Sequence, residues 1–81
     1  MSDAMDTAVR AALAEELGRP VESLTPDLGF ADDLGVDSLD FVRLVQCVEE
    51  ASGLRLDDKE AAAARTVGAL LDLVRRTAAG G

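Results

Sequence analysis

The sequence predicts an all-α protein, a four-helix bundle of three longer helices and one short one. Three observations carry this reading. Apolar residues recur three and four apart in three separate stretches, the period of a helix face. Residues that start or stop helices sit at the ends of those stretches. No stretch reads as a strand.

The first helix is expected over about 3–17, where Met5, Val9, Leu13 and Leu17 fall four apart beside Ala8 and Ala12. Gly18 supplies its C-cap, and Arg19-Pro20 cannot readily continue it. A connection over 19–36 follows, longer than most in compact domains. Val21, Leu24, Leu28, Phe30 and Leu34 give it apolar anchors, so it is read as an ordered loop pinned to the core, with room for a helical turn. The second helix is expected over about 38–51. Phe41, Leu44, Val45, Val48 and Ala51 make its apolar arc, with Asp40, Arg43, Gln46 and Glu50 opposite. Leu39 falls on the polar side, and Val42 and Glu49 fall toward the edge of the arc. Asp57 with Glu60 makes a capping-box-like start for a short helix at about 58–64. Thr66 is the expected N-cap of the last helix, about 67–78, whose buried stripe is Val67, Leu70, Leu71 and Val74. Arg75 and Arg76 lie near its negative dipole end, and the final "AAGG" is expected to fray.

The whole chain, 1–81, reads as one domain. A chain of this length buries only about 60% of the surface its unfolded form exposes, so its core is thin. With two Phe and no Trp or Tyr, that core is aliphatic. Sixteen acidic residues against eight basic give a formal charge of −8. This disfavours nucleic acid and anionic membranes and favours protein partners with basic patches. A single cysteine, Cys47, forbids an internal disulfide and is read as a small packing residue. Without histidine, neither a zinc site nor a His-based nucleophilic triad is expected. The EF-hand spacing is missing as well, so no metal site is predicted. The N-terminal stretch has acids where a signal peptide carries positive charge, and no segment has the length of a membrane span. A cytoplasmic, non-catalytic monomer is the expectation.

The stretch "DDLGVDSLDFV" (residues 32–42) offers two N-cap candidates where a helix needs one. With Asp37 as the cap, its carboxylate accepts from the N–H of Leu39 or Asp40. Ser38 then stands in the first turn with its hydroxyl free. A phosphate on that hydroxyl would meet unpaired N–H groups and the positive dipole end, against repulsion from Asp37 and Asp40. Ser38 has no base to make it a nucleophile. It is a candidate modification site.

Residues 30–45, "FADDLGVDSLDFVRLV", resemble the signature of the acyl carrier protein family around its modified serine. The resemblance extends to the "ELG" that closes the first helix, the long loop, Glu49-Glu50 and the final "TVGALLDLV". It implies the four-helix bundle of that family and a 4′-phosphopantetheine arm on Ser38, transferred from coenzyme A by a phosphopantetheinyl transferase using Mg²⁺. The arm's thiol would carry acyl groups as thioesters to acyltransferase, ketosynthase or other acyl-loading and acyl-processing enzymes with basic docking patches. The matching recognition positions are Asp37, Leu39, Asp40, Val42, Glu49, Glu50 and Asp58. An acyl chain could retreat into the core around Phe30, Leu44, Val48, Ala64 and Leu70, although a closed core is equally compatible.

The sequence also departs from the family pattern. Arg43 places a positive charge within the recognition face, Gln46 stands where an apolar residue is common, and Ala64 is small for its position. These departures point to a dedicated partner set, and the Ala-, Arg- and Gly-rich composition to a discrete carrier of a polyketide or related specialised pathway. A peptidyl or aminoacyl carrier would share the fold and the arm, but usually shows "GGxS" or "GGDS" where this chain has "LGVDSL". A helical adaptor without a prosthetic group would use the same acidic face and be indifferent to loss of Ser38.

Overall fold

A computed structural model of the chain describes residues 3–80. Gly81, in the run expected to fray, and Met1 and Ser2, in the stretch read for a signal sequence, lie outside them. Four helices form: α1 (Asp3–Leu17), α2 (Ser38–Ser52), α3 (Asp58–Ala63) and α4 (Val67–Ala78). The long connection holds a 3₁₀ turn at Val21–Ser23. Among the described residues there is no β-strand, only one antiparallel bridge between Gly29 and Thr66. No helix among them is long and apolar enough to cross a membrane.

The ends of the helices follow local chemistry. The Asp37 carboxylate accepts from the Asp40 N–H at 2.9 Å, the Asp57 carboxylate from Glu60 N–H at 3.0 Å and the Thr66 hydroxyl from Ala69 N–H at 3.1 Å. Each satisfies a donor that the first turn leaves without an intrahelical partner. Gly53 closes α2 with φ +72°, a left-handed conformation that glycine adopts without a Cβ clash. This carries α2 one residue beyond the expected Ala51, while α3 ends one residue short of Ala64.

The core is assembled from Val9 and Leu13 of α1, Leu44 and Val48 of α2, and Val67, Leu70, Leu71, Leu73 and Val74 of α4. Leu24 and Phe30 come to it from the connection, and Val21, Leu28 and Leu34 pack against the cluster. Two of the buried leucines fall outside the sequence-predicted set. Leu73 widens the stripe on α4, which is covered from more than one side. Leu56 enters from the link between α2 and α3. Ala51, expected on the apolar arc, is exposed, because the core cluster takes no residue of α2 beyond Val48.

Backbone bonds stitch the connection to the start of α4. Phe30 N–H donates to Arg65 C=O at 2.9 Å, Val67 N–H to Leu28 C=O at 3.0 Å, and Gly68 N–H to Pro26 C=O at 2.9 Å. A Cβ at position 68 would stand 2.9 Å from both the Pro26 Cβ and its carbonyl oxygen, so this approach requires glycine. At the far end of α4, Arg75 forms a two-pronged pair with Asp6 of α1, which raises the guanidinium pKa above its ordinary value, chiefly through that hydrogen bond.

Candidate functional site

The approach to Ser38 is set by backbone turns rather than by packing alone. Gly29 N–H donates to the Asp33 carboxylate at 2.7 Å, while Asp33 and Leu34 donate back to Gly29 C=O. Gly35 reverses the chain at φ +66°, and Val36 N–H then donates to Phe30 C=O at 2.8 Å. Of the two adjacent aspartates, Asp33 is therefore spent on the turn and Asp32 remains at the surface. Asp37 follows in extended conformation (φ −87°, ψ −178°), which aims its side chain back at the first turn of α2.

Ser38 is the first residue of α2, exposed, and its hydroxyl has no hydrogen-bond partner among the described residues. The cap is Asp37, which takes Asp40 N–H on its side chain and Phe41 N–H on its carbonyl. The N–H groups of Ser38 and Leu39 have no acceptor among the described residues and stand as donors at the positive end of the helix. Ser38 also borders a groove of about 460 Å³. The connection contributes Phe30 and Val36 to it, α2 contributes Phe41 and Val42, and Ala62 and Ala64 come from α3 and its end. The rings of Phe30 and Phe41 meet edge to face with centroids 5.3 Å apart, a favourable aromatic geometry. The volume lies in the range of small-molecule sites.

The remaining sequence-predicted residues separate into two groups. Leu39 is 76% exposed and Val42 53% exposed, the two large apolar side chains that α2 turns outward. Asp40, Arg43, Glu50 and Asp58 are exposed, as is Gln46. At 100° per residue, Leu39, Val42, Arg43, Gln46 and Glu50 share the outer face of α2. Glu49 is different. It is half-buried, and its carboxylate accepts from Leu56 N–H at 2.8 Å, tying the α2–α3 link back to α2. Arg65, which sequence reasoning passed over, lines the groove beside Ser38. No local pattern marks it, since the backbone bond to Phe30 is what brings it there.

Cys47 lies on the flank of α2 facing α1. Its thiol donates to a Glu16 carboxylate oxygen at 3.4 Å. Partial burial raises the thiol pKa, and the hydrogen bond to Glu16 and the charges of Glu16, Glu50 and Glu15 add to the rise.

This architecture is that of a phosphopantetheine-bearing carrier domain: residues 7–74 match the family described as "Phosphopantetheine attachment site". Over 74 residues the chain is 40% identical to an acyl carrier protein of Saccharopolyspora erythraea, an alignment covering 86% of this chain and 78% of that protein. The chain belongs to the acyl carrier protein family, and its prosthetic group is a covalently attached 4′-phosphopantetheine.

Proposed function

We propose that Ser38 is the attachment point and that the chain shuttles thioester-bound acyl intermediates between partner enzymes. The observation that carries this reading is the division of labour at the start of α2. Asp37 caps the helix, so the Ser38 hydroxyl is exposed and unengaged. The residues fit the group: the free N–H donors of Ser38 and Leu39 suit a phosphate, and the groove beside them suits an extended, mostly neutral arm. When attached, the arm supplies a thiol that holds the acyl group as a thioester. The chain itself holds and presents, and performs no chemistry.

Attachment is a phosphoryl transfer in which Ser38 Oγ bonds to the phosphorus of coenzyme A that bears the pantetheine. Adenosine 3′,5′-bisphosphate leaves, and the serine proton passes to a base of the transferase. Leu39 and Val42 offer apolar contacts to a docking enzyme, and Asp37, Asp40, Glu50 and Asp58 attract its basic patch. Arg43 asks for an acid within that patch. Glu49 contributes charge to the face while its carboxylate is held at Leu56. The partners we assign are a phosphopantetheinyl transferase, then an acyltransferase, a ketosynthase or related acyl-processing enzymes. The protein works as a cytoplasmic monomer, in a polyketide-type or related specialised pathway.

The test is direct. Incubation with coenzyme A and a promiscuous phosphopantetheinyl transferase should raise the intact mass by one phosphopantetheinyl group, and Ser38→Ala should abolish the gain. A gain that persists in Ser38→Ala would refute the assignment. Offering the holo form acyl and aminoacyl donors in parallel should give loading from the acyl donor.

A further inference from the structure

The groove beside Ser38 contains one cation. Asp32 and Asp37 line it together with the serine, and Arg65 is the basic residue among them. Elsewhere, Arg75 is paired with Asp6, Arg76 with Glu60 and Asp72, and Arg10 donates to Leu24 C=O. Arg19, Arg43, Arg55 and Lys59 have no side-chain partner among the described residues, but they do not line the groove. The Arg65 side chain has no ion pair or hydrogen bond among the described residues. Its backbone, by contrast, is fixed. Its carbonyl accepts from Phe30, and its neighbour Thr66 both caps α4 and bridges to Gly29. A guanidinium is thus mounted on a backbone-anchored segment at the edge of a mostly apolar groove, in a chain of net charge −8, and no carboxylate among the described residues pairs with it.

A phosphodiester on Ser38 Oγ would sit at the rim of this same groove, with the carboxylates of Asp32 and Asp37 on its lining. Those charges push the phosphate away from the protein, whereas a guanidinium forms short, two-pronged hydrogen bonds to phosphate oxygens. We propose that the Arg65 guanidinium pairs with the phosphodiester through which the arm hangs from Ser38, and so lays the arm along the groove rather than leaving it in solvent. The inference rests on the assignment of Ser38 as the attachment point. Arg65 is then a positioning residue. It offsets the local acidity and selects the arm's direction, and it takes no part in transfer.

The experiment uses the full chain, apo and holo, with the arm installed from coenzyme A and verified by intact mass. In ¹⁵N-labelled protein the Arg65 Nε–Hε resonance should move between apo and holo, while those of Arg19 and Arg55 stay in place. The ³¹P resonance of the phosphodiester should shift and narrow in Arg65→Gln and return most of the way in Arg65→Lys. Amide spectra of the variants should match the wild type, since the Phe30–Arg65 bond uses the backbone. A mass gain without movement of the Arg65 resonance, or a ³¹P line indifferent to Arg65→Gln, overturns this inference and leaves the attachment assignment standing. Movement that appears only on loading a malonyl group, and not in holo or acetyl forms, also overturns it, because the guanidinium would then serve a cargo carboxylate. A mass gain that fails to appear, or that survives Ser38→Ala, removes the assignment and the inference together.

Discussion

Asp37 and Ser38 are chemically interchangeable as helix caps, yet the structure gives them different tasks, and stability measurements can tell them apart. Asp37→Ala removes the carboxylate that accepts from Asp40 N–H at 2.9 Å. Losing such a cap costs about 1 kcal/mol. For a domain of this size that lowers Tm by about 4–8 °C. Asp37→Asn keeps an acceptor at the same reach and should recover most of the loss. Ser38→Ala removes an exposed hydroxyl with no hydrogen-bond partner among the described residues, so its effect should stay within about 0.5 kcal/mol. The assay is thermal or urea unfolding of the four apo proteins, followed by circular dichroism at 222 nm. The double variant adds a further check. With Asp37 gone, Ser38 is the next residue able to cap, so Ser38→Ala should cost more in the Asp37→Ala background than in the wild type. A larger loss from Ser38→Ala than from Asp37→Ala in single variants would refute the reasoning, since the serine would then be the structural residue.

Three more outcomes are expected. Gly68→Ala forces a Cβ to within 2.9 Å of Pro26 and should destabilise by about 1–3 kcal/mol; unchanged urea midpoints would show that the connection yields freely. Cys47 should react more slowly with a disulfide reagent at pH 8 than a free thiol does, because its raised pKa leaves less thiolate at that pH, and Glu16→Gln should speed the reaction. Equal rates in wild type and Glu16→Gln would leave burial, and not Glu16, as the source of the rise. Arg43→Glu should weaken binding to the native partner enzymes by about two- to fivefold, the scale of an exposed charge pair, and unchanged transfer kinetics would dismiss Arg43 from recognition.

Much of the fold was legible because its determinants are local. The four-residue spacing of Val9 and Leu13, the caps at Asp37, Asp57 and Thr66, and the stops at Gly18 and Gly53 act within one or two turns of chain. The free hydroxyl of Ser38 follows from the same local logic, once Asp37 is recognised as the better-placed cap. What sequence could not show depends on distant partners. Leu73 stands outside the stripe of Val67, Leu70, Leu71 and Val74, and its burial shows only with the rest of the fold in place. Glu49 falls at the edge of the apolar arc with no partner in view until Leu56 N–H is found 2.8 Å from its carboxylate, across seven residues of chain. Arg65 sits among alanines and carries no motif. The bond from Phe30, thirty-five positions earlier, and its neighbours along the same stitch bring it to the groove that Ser38 borders.

That stitching also decides how a load applied at Ser38 would travel through the chain. A pull on Ser38 toward an enzyme is transmitted back through Asp37 and Val36. Val36 is anchored to Phe30, Phe30 to Arg65, and the flanking Leu28 and Pro26 to the first turn of α4. The load therefore spreads over several backbone bonds in parallel and reaches the helix most deeply seated in the core. With the arm on Ser38 as proposed, the serine would be a backbone-anchored pivot, and the swing of a cargo would belong to the arm beyond it.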